Sequence, residues 1–345
     1  MEKISKEKIY ILGIESSCDE TAAAIVANGR EVCSGVIASQ IAIHQPYGGV
    51  VPEIASRCHL EAIAPVVDQA LKEADLTFAQ IDAVAVSSGP GLVGALLVGV
   101  SYAKALAQAL NIPLIAVHHW QGHMAAVFLE HNPSYPFVAL VVSGSHTGIV
   151  FVEEKNDYLL LGSSRDDAAG EAFDKIARAL GLGYPGGPLM EKAALGGDIN
   201  YFPFPRAWLK GSYDFSFSGL KSAVWNYLNQ RKMKNDPVRE EEIPHLAAST
   251  QEAIVEVLAN KTIEAAREYG VKNIVLAGGV AANRRLRELF ALYAPEMNLY
   301  APSLVYCTDN AAMIASAAYD KWLEADFADL SLNADPRQNL YCDPK

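Results

Sequence analysis

The feature that most constrains the fold is a strand–turn–strand pattern that occurs twice. The first copy enters through the apolar Tyr10-Ile11-Leu12-Gly13-Ile14, turns at Glu15-Ser16-Ser17-Cys18-Asp19-Glu20-Thr21, and leaves through residues 22–27. The second enters through Phe137–Val142, turns at Ser143-Gly144-Ser145-His146-Thr147, and leaves through residues 148–152. In each, an apolar run meets a turn of small hydroxyl residues ending in threonine, and a β-rich run follows. What comes after the hairpins repeats too. After the first, the apolar spacing predicts a helix over residues 53–74, a strand over 81–87, a helix over 92–110, a strand over 114–117 and a helix from Trp120. After the second, helical stretches at 171–180 and 189–194 precede a long helix over 246–269, a strand at Asn273–Ala277, a helix over 282–293 and a closing helix from Asp309.

Short strands alternating with long amphipathic helices call for central sheets with helices outside. Two such lobes, each opening with a hairpin aimed at the gap, describe an α/β chain with the two-lobed actin-like ATPase (ASKHA) fold: duplicated sheet-and-helix lobes around a central cleft. A length of 345 residues with 51% hydrophobic content suits two lobes better than one domain. The expected division is an N-terminal lobe over 9–134, a C-terminal lobe over 135–325 and a peripheral tail over 326–345, which has no apolar period. Residues 198–244, rich in aromatics, proline and charge, interrupt the second lobe as an insertion.

Composition narrows the setting. No apolar run reaches the roughly 20 residues of a membrane span, so no membrane role is expected. The charged start runs straight into an apolar strand, unlike a signal peptide. Cysteines 18, 33, 58, 307 and 342 form no CxxC and suit reduced thiols in a cytoplasmic setting. The net charge of −12 repels nucleic acid, so any RNA substrate requires a local basic patch or a partner.

The sharpest chemistry lies in His118-His119-Trp120-Gln121-Gly122-His123, after one predicted strand. His119 and His123 are four apart, on one helical face, and can share a metal. The same spacing also occurs in histidine pairs without a metal. A zinc-protease reading fails, because glutamate would have to follow the first histidine and Trp120 stands there. Asp309, before a small-residue helix, is the candidate third ligand, or else an N-cap. Two histidines and one carboxylate suit iron or zinc. Two loops are candidate anion sites. Ser143-Gly144-Ser145-His146-Thr147 offers closely spaced N–H groups or is simply a tight turn. Gly278-Gly279-Val280-Ala281-Ala282-Asn283 joins a strand to a helix N-terminus, where Asn283 can read a base or ribose, or is a compact connection. Gly89-Pro90-Gly91-Leu92-Val93-Gly94 matches GxGxxG, but the next strand ends in histidines rather than an acid, so a structural role fits it better.

The stretches GIESSCDETAAAI, GGVVPEIASRCHLE, SSGPGLVGALLVGVSYAKALA, VHHWQGH, DDAAGEAFDKIARALGLGYPGGP, FSFSGLKSAV and LAGGVAANRRLR closely resemble, in order, the motifs of the tRNA N6-adenosine threonylcarbamoyltransferase family (bacterial TsaD). That resemblance implies the actin-like fold, and one divalent metal, iron or zinc, on His119, His123 and Asp309. It also implies a substrate and nucleotide site, for ATP or the adenylate, lined by Val141, Val142, Ser143, Gly144, Ser145, Asp174, Gly187, Glu191 and Asn283. The implied reaction moves threonylcarbamoyl from its adenylate to the exocyclic amine of adenosine 37, in tRNAs reading codons that begin with adenine. The implied partners are tRNA, a paralogous subunit of the same fold and a small ATPase subunit. Ser145 stands where the family usually has a second glycine, and Gln121 where it usually has glutamate. No general base is identified; Asp19 and Glu20 are the carboxylates to test. Competing readings are a small-molecule O-carbamoyltransferase, which carries extra domains, an actin-like sugar kinase, and a non-catalytic scaffold. Arg231-Lys232-Met233-Lys234 and Arg284-Arg285-Leu286-Arg287 are the basic runs open to RNA.

Overall fold

The computed structural model describes residues 8–340, which divide into two compact units. Residues 1–7 and 341–345, with Cys342, lie outside the described residues. The first unit opens with the hairpin strands β1 (Tyr10–Glu15), β2 (Glu20–Ala27) and β3 (Glu31–Ser39). The short α1 (Ile41–His44), α2 (Pro52–Glu73), β4 (Ala83–Gly89), α3 (Val93–Leu110), β5 (Leu114–His118) and α4 (His119–Ala125) follow. Its sheet has the order β3-β2-β1-β4-β5. β1, β2 and β3 pair antiparallel, while β4 and β5 add in parallel on the other side of β1.

Side chains alternate across this sheet as strand geometry requires. Leu12, Ile14, Val84 and Val86 enter one core cluster, shared with residues of α2 and α3. Ile11, Ala83, Ala85 and Val117 enter a second cluster on the opposite face. Burial of both faces is why these strands read as continuous apolar runs. α3 is long and apolar enough to cross a membrane by composition. Its Leu96, Val100 and Ala103 are instead buried in the first unit.

The second unit contains β6 (Phe137–Val142), β7 (Thr147–Val152), β8 (Tyr158–Ser163), α5 (Ala169–Ala179), α6 (Gly186–Ala194) and α7 (Ser218–Met233). It continues with α8 (Ile243–Glu268), β9 (Asn273–Ala277), α9 (Arg284–Tyr293) and β10 (Asn298–Tyr300). Its sheet order is β10-β9-β6-β7-β8. Taken from the hairpin outward, the path is that of the first unit: three antiparallel strands, then two parallel strands beside the first. The duplication expected from the hairpins therefore extends to all five strands. α8 is buried over most of its length and forms the axis of this core, its buried charges held by partners: Glu252 by Arg285, and Lys261 by the Ser212 and Asp214 carbonyls.

The chain then returns to the first unit through α10 (Leu304–Cys307) and α11 (Ala311–Glu324). This corrects the boundary at residue 325, which assigned the closing helix to the second lobe. An apolar stripe of Ala311, Ala312, Ala315 and Ala318 does not declare which sheet it will cover. Gly13 of β1 decides it, because a methyl there would collide with the Ala311 carbonyl and lie 2.9 Å from Ala315 N. The described part of the tail, residues 326–340, is not peripheral either. Asp335 N donates to Ser88 O at 2.8 Å, Lys104 Nζ to Leu332 O at 2.9 Å, and Leu340 is buried. The interrupting segment 198–244 contains α7 and sends Phe204, Phe215 and Phe217 into the second core.

Candidate metal centre

β5 ends at His118 and α4 begins at His119, so the strand end sets where the helix starts. His118 caps the helix: its Nδ1 accepts the Trp120 N–H at 3.1 Å, and its Nε2 lies 3.1 Å from Gln338 O. That pattern requires a neutral ring, and burial pulls its pKa down to about 4. One turn of α4 then brings His119 and His123 together edge to face, with ring centroids 4.6 Å apart. Gly122 between them lets α4 approach α11, since a methyl there would meet Ile314 Cδ1 at 2.8 Å.

Asp309 reaches the pair from the start of α11. It is not the cap of that helix, because Asn310 Oδ1 accepts the Met313 N–H at 3.0 Å. Asp309 Oδ1 lies 3.2 Å from His123 Nε2 and 3.6 Å from His119 Nε2. The three side chains present one ligand atom each, all within 4.8 Å of one another. His123 is 1% exposed and neither ring nitrogen makes a hydrogen bond. A buried imidazole in that state is costly unless its nitrogen binds an ion. Two imidazole nitrogens and a carboxylate fit a divalent transition metal.

Glu15 and Ser17 complete the centre, and sequence reasoning did not assign them a role there. Glu15 Oε2 lies 3.0 Å from His119 Nδ1, and Ser17 Oγ lies 3.2 Å from it. Glu15 is fully buried, and its Oε1 accepts the Ser17 N–H at 2.5 Å and the Ser87 hydroxyl at 3.0 Å. A carboxylate behind a ligating histidine fixes its orientation and raises its basicity. Burial lowers the His119 pKa, but Glu15 and Asp309 outweigh it and push it up to about 9. The centre is thus an electronegative pocket that favours a cation. The available signal was one acid closing the apolar strand 10–14. Nearby in sequence, burial raises Asp19, and pushes Glu20 up to about 8 against the Ser39 hydrogen bond. Glu20 Oε2 is buried without a partner.

The remaining candidate residues lie in the second unit. Val141 and Val142 end β6 and are buried, while Gly144 and Ser145 stand exposed on the β6–β7 turn. Gly170 N donates to Ser143 O at 3.1 Å, which ties the start of α5 to that turn. Gly278, at φ +90°, abuts Val142, so the turn, the α5 N-terminus and the loop before α9 meet. Ser145 Oγ lies 2.9 Å from His146 Nδ1. Asp174 Oδ1 accepts the Gly186 N–H at 2.6 Å, and a methyl on Gly187 would meet open space. Glu191 Oε1 accepts the Arg284 N–H at 3.0 Å. Asn283 is 6% exposed; its Oδ1 caps α9 at Leu286 N, 3.0 Å, and its Nδ2 donates to Gln251 at 2.9 Å. The group expected to read a base therefore holds the loop. In the GxGxxG stretch, a methyl on Gly91 would lie 2.6 Å from Ser17 O, so that glycine permits close packing.

The model of the tRNA N6-adenosine threonylcarbamoyltransferase family (TsaD) matches residues 31–316. The chain belongs to that family. A tRNA N6-adenosine threonylcarbamoyltransferase of Geobacillus kaustophilus is 54% identical, covering 96% of each chain. One of Moorella thermoacetica is 57% identical, over 94% of this chain and 96% of its own. Among solved structures, HypF of T. kodakarensis superposes with a TM-score of 0.61 at 15% identity, over 92% of this chain and 48% of its own. At that identity the likeness concerns fold alone, and the fold is the actin-like one.

Proposed function

We propose that the chain transfers a threonylcarbamoyl group from threonylcarbamoyl-adenylate to the N6 amine of adenosine 37, in tRNAs reading codons that begin with adenine. What carries this reading is family membership at 54% identity over 96% of the chain. The His119–His123–Asp309 cluster supports it. Those three residues would hold one iron or zinc ion, which when bound supplies Lewis-acid polarisation of the acyl-phosphate region. Glu15 orients His119 for that task. On the turn at Ser143, Gly144 and Ser145, the Ser143 N–H is taken by His146 O, which leaves the Gly144 and Ser145 N–H groups to meet an anion such as the adenylate or ATP. Val141, Val142, Asp174, Gly187, Glu191 and Asn283 shape the same region. Attack by an adenine amine depends more on positioning than on a strong base. Glu20, whose carboxyl keeps its proton up to about pH 8, and Asp19 are the groups to test for proton transfer. The reading includes a cytoplasmic setting, a paralogous subunit of the same fold and a small ATPase subunit.

The test is to incubate the pure chain with those subunits, threonylcarbamoyl-adenylate and unmodified tRNA, then analyse nucleosides by mass spectrometry. Threonylcarbamoyladenosine that disappears with His123→Ala supports the assignment. Carbamoylation of small acceptors, with tRNA untouched, would favour the O-carbamoyltransferase reading.

A further inference from the structure

Two arginines of the basic runs visible in the sequence are already ion-paired, while Lys232, Lys234 and Arg284 stand exposed. Arg231 is held by Glu242 at 2.9 Å and Asp236 at 2.8 Å, and Arg285 by Glu252 at 2.7 Å and Glu288 at 3.3 Å. Arg287 Nε donates to Ala281 O at 2.7 Å. Another surface of the second unit sets an exposed aromatic among its cations. Between α5 and α7 lies a cavity of about 360 Å³, lined by Lys175, Arg178, Lys221, Ser222, Trp225 and Asn226.

Helical spacing builds this wall: Lys175 and Arg178 are three apart on α5, and Lys221 and Trp225 four apart on α7. Asp167 holds both ammonium groups in place, Lys175 at 2.8 Å and Lys221 at 2.6 Å, and Glu171 adds a contact to Lys175 at 2.7 Å. Arg178 is exposed, and among the described residues its guanidinium makes no ion pair. It lies over the Gly48-Gly49 backbone, where a methyl on Gly48 would come within 3.0 Å of its Cζ. Trp225 is 53% exposed, so its ring face is open to a ligand. Three cations against two carboxylates leave a local surplus of positive charge on a chain of net charge −12.

We propose that this α5–α7 pocket is an RNA-contacting surface, with Trp225 stacking on an unstacked base and Arg178 holding the adjoining phosphate. The inference rests on the tRNA reading above and names a surface for it. Base stacking on an exposed aromatic beside cations is how single-stranded nucleic acid is gripped without sequence readout. Tryptophan and arginine also anchor protein interfaces, so the groups around the indole bear on the choice. Here they are ammonium, guanidinium, hydroxyl and amide, all donors suited to phosphate and sugar oxygens.

The experiment measures binding of an unmodified tRNA transcript to the full chain by fluorescence anisotropy, between about 50 and about 200 mM salt. Trp225→Ala and Arg178→Glu should each weaken binding roughly ten-fold. Arg178→Glu should also flatten the salt dependence by about one phosphate contact. Trp225→Phe should bind nearly as the wild type does, and Lys72→Glu, an exposed charge reversal on α2, should change little. Trp225 and Arg178 are exposed, so the variants should fold, and an unchanged melting curve checks this. If the wild type binds and modifies tRNA while both variants bind it equally well, the pocket is not an RNA surface. If the variants lose a protein partner but keep tRNA, the pocket is a protein dock and the proposal fails. A wild type that neither binds nor modifies tRNA, with its partners present, overturns the functional reading and this inference with it.

Discussion

Gly13→Ala tests how the fold positions Asp309, the carboxylate of the candidate metal centre. The added methyl would collide with the Ala311 carbonyl and lie 2.9 Å from Ala315 N and 3.0 Å from Ala315 Cβ. Those obstacles are mostly helix backbone, so no side-chain rotation relieves the clash, and α11 must recede by about 1 Å. Overpacking of this kind costs roughly 1–3 kcal/mol. Asp309 lies two residues before the first turn of α11 and would move with it. A misplacement of about 1 Å in a preorganised site can cost about a hundred-fold, and a loss of that order is expected in metal affinity. Urea unfolding reads the stability, and titration with Zn²⁺ or Fe²⁺ reads the affinity. Gly35→Ala is the control, since a methyl at that position in β3 meets nothing within 4 Å. It should leave both measurements nearly unchanged. If Gly13→Ala unfolds at the wild-type midpoint and binds metal as tightly, close packing of α11 on β1 does not set Asp309, and the reasoning fails.

Glu15→Gln removes the carboxylate behind His119 and should weaken metal binding about 10- to 100-fold, measured by calorimetry, with Gln too weak an acceptor to restore it. Glu20→Gln should stabilise the chain in alkaline buffer. The folded Glu20 pKa of about 8 lies above its ordinary 4.5, so the wild type loses stability as pH rises from 4.5 towards 8, and the two proteins should converge below 4.5 in urea melts. Parallel stability curves across that window would show that Glu20 titrates normally. Asn283→Ala should cost roughly 1–3 kcal/mol by uncapping α9 and stranding Gln251. A loss of adenylate affinity at unchanged stability would instead make Asn283 a ligand-reading group.

What the sequence disclosed, and what it withheld, follows from the range of each interaction. The hairpins, α2, α3, α8 and the HxxxH pair are local patterns, legible because periods of two and of about 3.6 residues recur within one element. β3, β8 and β10 are not marked by apolar runs, because these edge strands stay half exposed and carry polar residues that a buried strand would not. Glu15 looked like part of a turn, since its partners His119 and Ser87 are 104 and 72 positions away. Arg231 and Arg285 looked free for the same reason: each is neutralised by a carboxylate outside its own run. The capping role of Asn310 gave no warning of its own, but it frees Asp309 for the centre.

The discontinuity of the first unit bears on how the chain is made. His119 and His123 leave the ribosome about 190 residues before Asp309. At roughly 5–20 residues per second, that is an interval on the order of 10–40 s. Among the described residues, the second unit is contiguous apart from residues 45–49 and can close during that wait. Until α11 arrives, one face of the first sheet stays open to water. Half of that face is alanine, with Ala22, Ala24, Ala83 and Ala85 beside Ile11, Val26, Ile115 and Val117, so it shows less apolar area than an all-leucine face would. Small side chains that let a helix pack closely at the end of synthesis also limit sticking while the ribosome is still at work.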